Sequence, residues 1–156
     1  MTENEAQWIG GAIYNDVYGA SPFITNCTIA YNHDDEVGFG PTIGGIACDG
    51  SSETIIENTI VWGNNGAQIG GYSSVEYSDV EGGFPGVGNI STEPMFVNDV
   101  LPPYDYHLTE DSGCIDVGDD AVGPGYDIES NPRVDVDGIG TSGVITDVGA
   151  YEYHPL

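Results

Sequence analysis

Hydrophobic positions in the first half of the chain recur in short cassettes rather than in long runs. Residues 24–32 (ITNCTIAYN) return as residues 56–64 (IENTIVWGN), and residues 9–13 (IGGAI) return as residues 43–46 (IGGI). A period of 32 to 34 residues is typical of a solenoid, in which each repeat buries its apolar face by stacking on the next. The pattern therefore predicts an all-β chain of stacked repeats.

Each long cassette carries an asparagine that interrupts strand alternation. With strict alternation, Ile29 would lie on the outer face, because residues 24, 26 and 28 would share the inner one. The conflict disappears if Asn26 and Asn58 adopt the left-handed region, which asparagine tolerates, so that Ile29 and Val61 turn inward. A third copy, residues 75–83, places Tyr77 at this position. Equivalent asparagines are expected to stack and exchange amide hydrogen bonds.

Three predicted segments make up each repeat. They are a Gly-Gly strand (9–14 and 43–48), a bent strand pair (23–32 and 54–63) and a short third side (68–69 and 89–90). Residues 33–41 form a predicted loop within the first repeat. After Gly83 the repeat fades, and residues 144–153 are predicted as a closing strand.

The length predicts a single domain with three parts. Residues 1–8 are interpreted as an acidic lead-in or a cloning remnant, residues 9–100 as the repeats, and residues 101–156 as a loop-rich capping segment of the same domain. No capping segment is expected before the first repeat, which suggests an open N-terminal end or a piece of a longer secreted protein.

Acidic residues dominate the charge of the chain. Twenty-six Asp and Glu face one basic residue, Arg133, for a formal net charge of -25. This charge repels phosphate backbones and anionic lipid surfaces, so neither a nucleic-acid partner nor membrane insertion is expected. It attracts cations, either as bound Ca²⁺ or as a diffuse screening cloud. No run of eighteen apolar residues and no signal peptide is found in the sequence.

Three cysteines leave at least one thiol unpaired. Cys27, Cys48 and Cys114 show no zinc-site or redox-pair spacing. They are predicted to be buried thiols that pack as small apolar groups, although one disulfide bridge stays open as an alternative.

Eight motifs occur in an order that resembles a known group of proteins. They are residues 58–64, 77–83, 88–90, 93–96, 105–108, 114–119, 127–133 and 147–153. This order resembles the C-terminal region of secreted bacterial and archaeal right-handed parallel β-helix repeat proteins, with Glu93 where the group usually has Asp. The resemblance implies a β-helix of about three to four coils with an irregular cap. It leaves activity open, because such repeats occur in enzymes, polysaccharide-binding modules, adhesins and surface-layer components.

Catalytic chemistry has little support in the sequence. The polysaccharide lyases with this fold typically need a Lys or Arg, and Arg133 is expected instead to pair with Asp147 or Glu152. Hydrolases need only paired carboxylates, which an acidic chain supplies by chance. The most suggestive set is Asp34, Asp35 and Glu36 beside His33, for which a solvated loop or a weak cation site is the alternative.

Acidic turns in the C-terminal half favour Ca²⁺ as a structural cofactor. Asp116, Asp119 and Asp120 form one such turn, and Asp135 and Asp137 form another. Carboxylates spaced by two or three residues in glycine-containing turns let backbone carbonyls join a shell of oxygen ligands. The alternative is that these aspartates bond their own backbone.

Aromatic residues supply a second binding prediction. The bend turns Ile60 and Trp62 outward, and five tyrosines (Tyr14, Tyr18, Tyr31, Tyr72 and Tyr77) fall at strand ends or turns, where rings stack on sugars. A loop or the C-terminal segment packing over Trp62 is the alternative. The candidate ligand-binding set is Trp62, Tyr31, His33, Asp34 and Asp35.

Together these features predict a non-catalytic extracellular or cell-surface module that binds polysaccharide or serves as a structural element. Two alternatives remain. One is a self-assembling building block that stacks through its open N-terminal coil. The other is a glycoside hydrolase fragment.

Overall fold

A computed structural model describes residues 1–16, 19–35, 42–50 and 53–155. These residues form strands and irregular segments without any helix, so none of them makes a helix able to cross a membrane. The strands are β1 (Glu5–Ala6), β2 (Ile13–Asn15), β3 (Phe23–Thr25), β4 (Thr28–Ala30), β5 (His33–Asp34), β6 (Ile46–Cys48), β7 (Thr54–Glu57), β8 (Ile60–Trp62), β9 (Ile69–Gly70), β10 (Ser73–Glu76), β11 (Asp79–Val80), β12 (Phe96–Asn98) and β13 (Asp105–Leu108).

Three parallel sheets of three strands organise the first half of the chain. Their strand orders are β2-β6-β9, β3-β7-β10 and β4-β8-β11, so each repeat contributes one strand to each sheet. Ile24 pairs with Ile56, which pairs in turn with Val75, as the cassette alignment predicts. The all-β, mostly parallel character of the chain is thereby confirmed.

Left-handed residues separate the second sheet from the third. The φ angles of Asn26, Asn58 and Tyr77 are 48°, 49° and 46°, which confirms the predicted bend at all three copies. A second bend follows at Tyr31 and Gly63, whose φ angles are 55° and 65°. The first bend places the two halves of each bent cassette in different sheets, so these halves form two sides of each repeat. The Gly-Gly strand forms the remaining side. The predicted third side at residues 68–69 is wrong, since Ile69 pairs with Ile46 in the Gly-Gly sheet.

Two hydrophobic clusters lie on opposite sides of β4, β8 and β11. The first lies among the three sheets and contains Ile24, Ile29, Ile46, Cys48, Ile56, Val61, Val75 and Val80. The second joins the outer face of β8 to the C-terminal half and contains Ala30, Ile60, Phe96, Leu108, Cys114, Ile115, Val136 and Val148. Ile60 points away from the first cluster, as predicted, but it is 1% exposed because the C-terminal half packs over it.

Buried amides connect successive repeats beside the second bend. Asn64 Oδ1 accepts hydrogen bonds from Asn32 N at 2.9 Å and Asn32 Nδ2 at 2.8 Å. Asn64 Nδ2 donates to Gln68 Oε1 at 2.7 Å, and Asn4 Nδ2 donates to Asn32 Oδ1 at 2.9 Å. The predicted stacking of Asn26 on Asn58 is also present, but its amide contact is longer, at 3.4 Å.

Both ends of the three-sheet region carry additional chain. At the N-terminal end, Ala30 N donates to Met1 O at 3.1 Å, and β1 pairs in parallel with β5. At the other end, Ile90 N donates to Ser78 O at 2.9 Å, and Asn89 Nδ2 donates to Val75 O at 2.8 Å. Residues at both ends therefore satisfy some backbone groups that an open end would expose, although β3 remains the edge strand of its sheet at the N-terminal end.

The C-terminal half is largely irregular. Its only paired strands among the described residues are the antiparallel β12 and β13. Residues 144–153 form no strand, so the predicted closing strand is wrong. Backbone groups there bond elsewhere instead: Val148 N donates to Cys114 O and Gly149 N donates to Asn58 O, both at 2.9 Å. This segment nevertheless covers the outer face of the repeats.

Candidate functional site

The predicted acidic loop within the first repeat, residues 33–41, is partly a strand. His33 and Asp34 form β5, and Asp35 N donates to Ala6 O at 2.9 Å. Asp34 is buried and its Oδ2 accepts Ile43 N at 2.9 Å, so this carboxylate anchors the return of the chain. His33 Nδ1 lies 3.2 Å from Asn65 Nδ2. Glu36 and the remainder of this loop, through residue 41, lie outside the described residues.

The two aromatic candidates, Trp62 and Tyr31, both pack against the second hydrophobic cluster. Tyr31 lies at the second bend, where its hydroxyl donates to Asp99, and its ring stacks on Tyr106 at a centroid distance of 6.2 Å. Burial, followed by the bond to Asp99, raises the pKa of the Tyr31 phenol far above its ordinary value. Trp62 is half-buried. Both rings therefore have a packing role in the structure, and Tyr18 lies outside the described residues.

A row of tyrosines extends from Tyr31 to an open cleft beside β13. Tyr106 stacks on Tyr104 at 6.2 Å with an interplanar angle of 26°. The Tyr106 hydroxyl donates to Glu3 Oε1 at 2.6 Å, which fixes the central ring. Tyr104 is exposed and, with Tyr151 across the cavity, it borders a space of about 400 Å³. We call this space the tyrosine cleft; it is lined by Val97, Asn98, Pro103, Tyr104, Asp105, Tyr106, His107 and Tyr151.

His107 is held between two carboxylates at the edge of this cleft. Its Nδ1 lies 2.5 Å from Asp105 Oδ1, and its Nε2 lies 3.2 Å from Glu129 Oε2. Burial alone would lower the pKa of His107, but the bonds to Asp105 and Glu129 outweigh it and raise the pKa. The ring also lies 4.2 Å from that of Tyr151. The imidazole is thus oriented as a hydrogen-bonding group in the cleft wall.

A buried acidic cluster lies beneath residues 144–153. Asp116, Asp147 and Glu152 are all buried, and one carboxylate oxygen of each lies within 4.8 Å of the others. Arg133 Nη1 donates to Glu152 Oε2 at 2.7 Å, which confirms the predicted ion pair with one of its two predicted partners. The three carboxylates therefore converge with one guanidinium.

Like charges in low-polarity surroundings set the electrostatics of this cluster. Burial, followed by the charge of Glu152, raises the pKa of Asp147 to about 7, although backbone N–H groups of Tyr153 and Asp116 bond its carboxylate. Burial is also the main cause that raises the pKa of Asp116. Two buried atoms, Asp116 Oδ1 and Arg133 Nη2, have no hydrogen-bond partner within the described part of the chain.

The other aspartates of the predicted calcium turns cap backbone groups or face solvent. Asp119 Oδ1 accepts Ala121 N at 2.9 Å, and Asp120 Oδ1 accepts Ile145 N at 3.1 Å. Asp135 Oδ2 accepts Gly143 N at 3.1 Å, and Asp137 is exposed. Of the five predicted ligands, the structure brings only Asp116 into the cluster with Asp147 and Glu152.

Sequence reasoning missed several residues of both sites. Asp147 and Glu152 were predicted only as partners of Arg133. Their positions on either side of Gly149 could have indicated that a turn brings the two carboxylates together. Tyr104 and Tyr151 were not predicted as binding residues. No periodic signal marks them, because the tyrosine cleft joins β13 to a segment more than forty residues later.

The cysteines are free thiols. No disulfide joins them. Cys48 and Cys114 are buried, and Cys27 is half-buried. Cys48 Sγ lies 2.8 Å from Thr54 Oγ1, and Cys114 Sγ donates to Asp79 Oδ2 at 3.2 Å. Burial raises the pKa of the Cys114 thiol well above its ordinary value, which makes it a poor nucleophile.

Among protein-family models, curated proteins and solved structures, none matches this chain. The chain is therefore defined by its own structure, as an all-β protein with mostly parallel strands, a tyrosine cleft and a buried acidic cluster.

Proposed function

We propose that this chain is a short right-handed parallel β-helix that acts as a non-catalytic carbohydrate-binding module outside the cell or at its surface. Support for the β-helix comes from three parallel sheets that each take one strand per repeat and share one apolar cluster. The resemblance of its motif order to secreted β-helix repeat proteins points the same way. The tyrosine cleft is the observation that carries the binding function.

The cleft has the chemistry that sugar recognition requires. Tyr104 presents an exposed ring that is stacked on Tyr106, which suits stacking on the apolar face of a pyranose. Asn98 and Asp105 place an amide and a carboxylate at the same space, where sugar hydroxyls would find oxygen acceptors. A neutral or cationic glycan fits best, because the strongly acidic chain repels polyuronates.

A glycan array followed by calorimetric titration tests this function. Tyr104→Ala is expected to weaken binding of any glycan hit about fivefold or more, since one stacked ring contributes about 1 kcal/mol or more. Tyr72→Ala is the matched control, because Tyr72 is also exposed but lies outside the cleft. Binding that survives Tyr104→Ala unchanged, or an array without hits, contradicts the proposal. Release of reducing sugar from a bound glycan would favour the glycoside hydrolase instead.

Self-association is a second candidate function, favoured by the apolar N-terminal face. A cavity of about 410 Å³ opens there, lined by Met1, Ile13, Phe23, Ile24, Thr25, Cys27 and Ile29. Phe23 is strongly exposed on β3, the edge strand of its sheet. Residues 89–90 cover the opposite edge, so the arrangement that fits is two copies joined by their N-terminal faces. Sedimentation equilibrium should show a dimer that Phe23→Asp abolishes, and a monomer at all concentrations excludes it.

A further inference from the structure

The buried acidic cluster carries more negative charge than the chain can neutralise. When ionised, Asp116, Asp147 and Glu152 bring three negative charges, and Arg133 supplies one positive charge. Arg133 is the only Lys or Arg of the sequence. Buried carboxylates are normally paired or bound to a cation, because removing an ion from water without compensation is costly. A bound cation would compensate the negative charge that Arg133 leaves when the three carboxylates are ionised.

One oxygen of the cluster is free to bind such a group. Asp116 is 0% exposed, and its Oδ2 accepts Val136 N at 2.8 Å. Its Oδ1 is buried and meets no donor in the described ranges of the chain. A carboxylate oxygen in that situation loses its hydration without replacement, which destabilises the folded chain. A cation at this oxygen would remove this destabilisation.

The spacing of the carboxylates fits a single ion. Oxygens bound to one Ca²⁺ at 2.3–2.6 Å lie no more than about 5 Å apart. The three carboxylate oxygens lie within 4.8 Å of one another. Of the three carboxylate residues, Glu152 also lines a surface cavity of about 610 Å³.

We propose that Asp116, Asp147 and Glu152 bind one Ca²⁺ ion, which fixes residues 144–153 against the repeats. An all-oxygen ligand set selects a hard cation. Ca²⁺ tolerates irregular coordination completed by water, whereas Mg²⁺ demands a near-ideal octahedron, so Mg²⁺ binds more weakly. The site differs from the turns that the sequence indicates, since it joins Asp116 to the closing segment instead of to Asp119 or Asp137.

Calcium titration of matched variants tests the site. The chain is stripped with EDTA and then titrated with CaCl₂ at a fixed ionic strength of about 0.15 M, which screens the acidic surface. The wild type should show a saturable rise in Tm, as expected for a ligand that binds only the folded state. Asp137→Asn should keep this rise, because Asp137 is exposed outside the cluster. Asp116→Asn should lose most of it and be at least as stable as wild type in EDTA, because it removes a buried charge.

A direct measurement accompanies the melting curves. Tb³⁺ replaces Ca²⁺ and luminesces when a nearby tyrosine is excited; Tyr153, whose backbone N donates to Asp147 Oδ2 at 2.6 Å, is one candidate. One Tb³⁺ per chain, displaced by Ca²⁺, supports the site, and this stoichiometry decides the matter if Asp116→Asn fails to fold. Equal Tm shifts in both variants would show diffuse counterion binding and overturn the proposal. The absence of any Tm shift and of any Tb³⁺ luminescence would show that the cluster binds no cation, and this result would also overturn the proposal.

Discussion

The carboxyl group of Asp79 should make the chain less stable as the pH rises. Asp79 begins β11 and is 0% exposed. Its Oδ1 accepts Thr92 N at 3.0 Å, and its Oδ2 accepts the Cys114 thiol at 3.2 Å. Burial raises the pKa of Asp79 to about 6, against which these two bonds act. We therefore expect Asp79→Asn, which keeps the shape and removes the charge, to stabilise the folded chain at neutral pH.

The magnitude follows from proton linkage. The pKa of Asp79 is about 6 in the folded chain and 3.8 as the unperturbed value. A raised folded pKa gives stability that is fully present at low pH and is lost as the pH rises through about 6. A difference of about 2 pKa units corresponds to about 3 kcal/mol in total. About 2 kcal/mol of this is lost between pH 4.5 and pH 8, because the unfolded group is already largely ionised at pH 4.5.

Urea unfolding of wild type and Asp79→Asn across this range measures the effect. The assay is run in EDTA at constant ionic strength, and the free energy of unfolding of the variant is subtracted from that of wild type at each pH. The difference should fall by about 2 kcal/mol from pH 4.5 to pH 8. Asp111→Asn is the control, since Asp111 is exposed and its difference should stay flat. Parallel curves for Asp79→Asn and wild type would refute the reasoning.

Two further substitutions test the packing between repeats and cap. Asn64→Ala should lower the free energy of unfolding in urea by about 2–4 kcal/mol, because it leaves buried groups of Asn32 and Ile29 without hydrogen-bond partners. The neighbouring Asn65→Ala should lower it by less than about 1 kcal/mol. Equal losses would contradict the role of the buried amides that connect the repeats. Ile60→Ala should lower the free energy of unfolding by about 2–5 kcal/mol, because the C-terminal half buries this side chain on β8. Ile128→Ala is the control, since Ile128 is exposed and its loss should be near zero. A loss near zero for Ile60→Ala would contradict the packing.

Local signals predicted the strand register and the bends of the repeats. The register of Ile24 with Ile56 is set by the repeat itself, because equivalent residues of stacked strands pair directly. The left-handed bends at Asn26 and Asn58 followed from a conflict between strand alternation and the position of Ile29. Each of these predictions uses residues a few positions apart or one period apart, which is the range over which sequence patterns are informative.

The candidate sites depend on contacts that no period specifies. Tyr106 bonds Glu3, which is 103 residues away, and Asp116 N bonds Asp147 Oδ1 across 31 residues of irregular chain. Residues 144–153 were predicted as a strand because they are rich in β-branched and aromatic residues, yet their N–H groups bond carboxylates and distant carbonyls. The strand prediction failed because tertiary contacts override local preference.

The acidic residues of the C-terminal half differ in whether all their carboxylate oxygens accept hydrogen bonds. This difference distinguishes residues that stabilise the backbone from residues that could bind a cation. Strand ladders satisfy most of the backbone of the repeats, whereas carboxylates share this role with distant carbonyls in the irregular half. Asp127 accepts three backbone N–H groups, from Glu129, Asn131 and Glu152. Burial alone would raise its pKa, but these bonds outweigh burial and lower it, so Asp127 is an ion with its partners already in place. Asp116 is equally hidden but keeps one oxygen without a donor among the described residues, and its pKa is raised. In a chain with 26 acidic residues, this contrast selects Asp116 over its acidic neighbours as the residue where a cation would add stability.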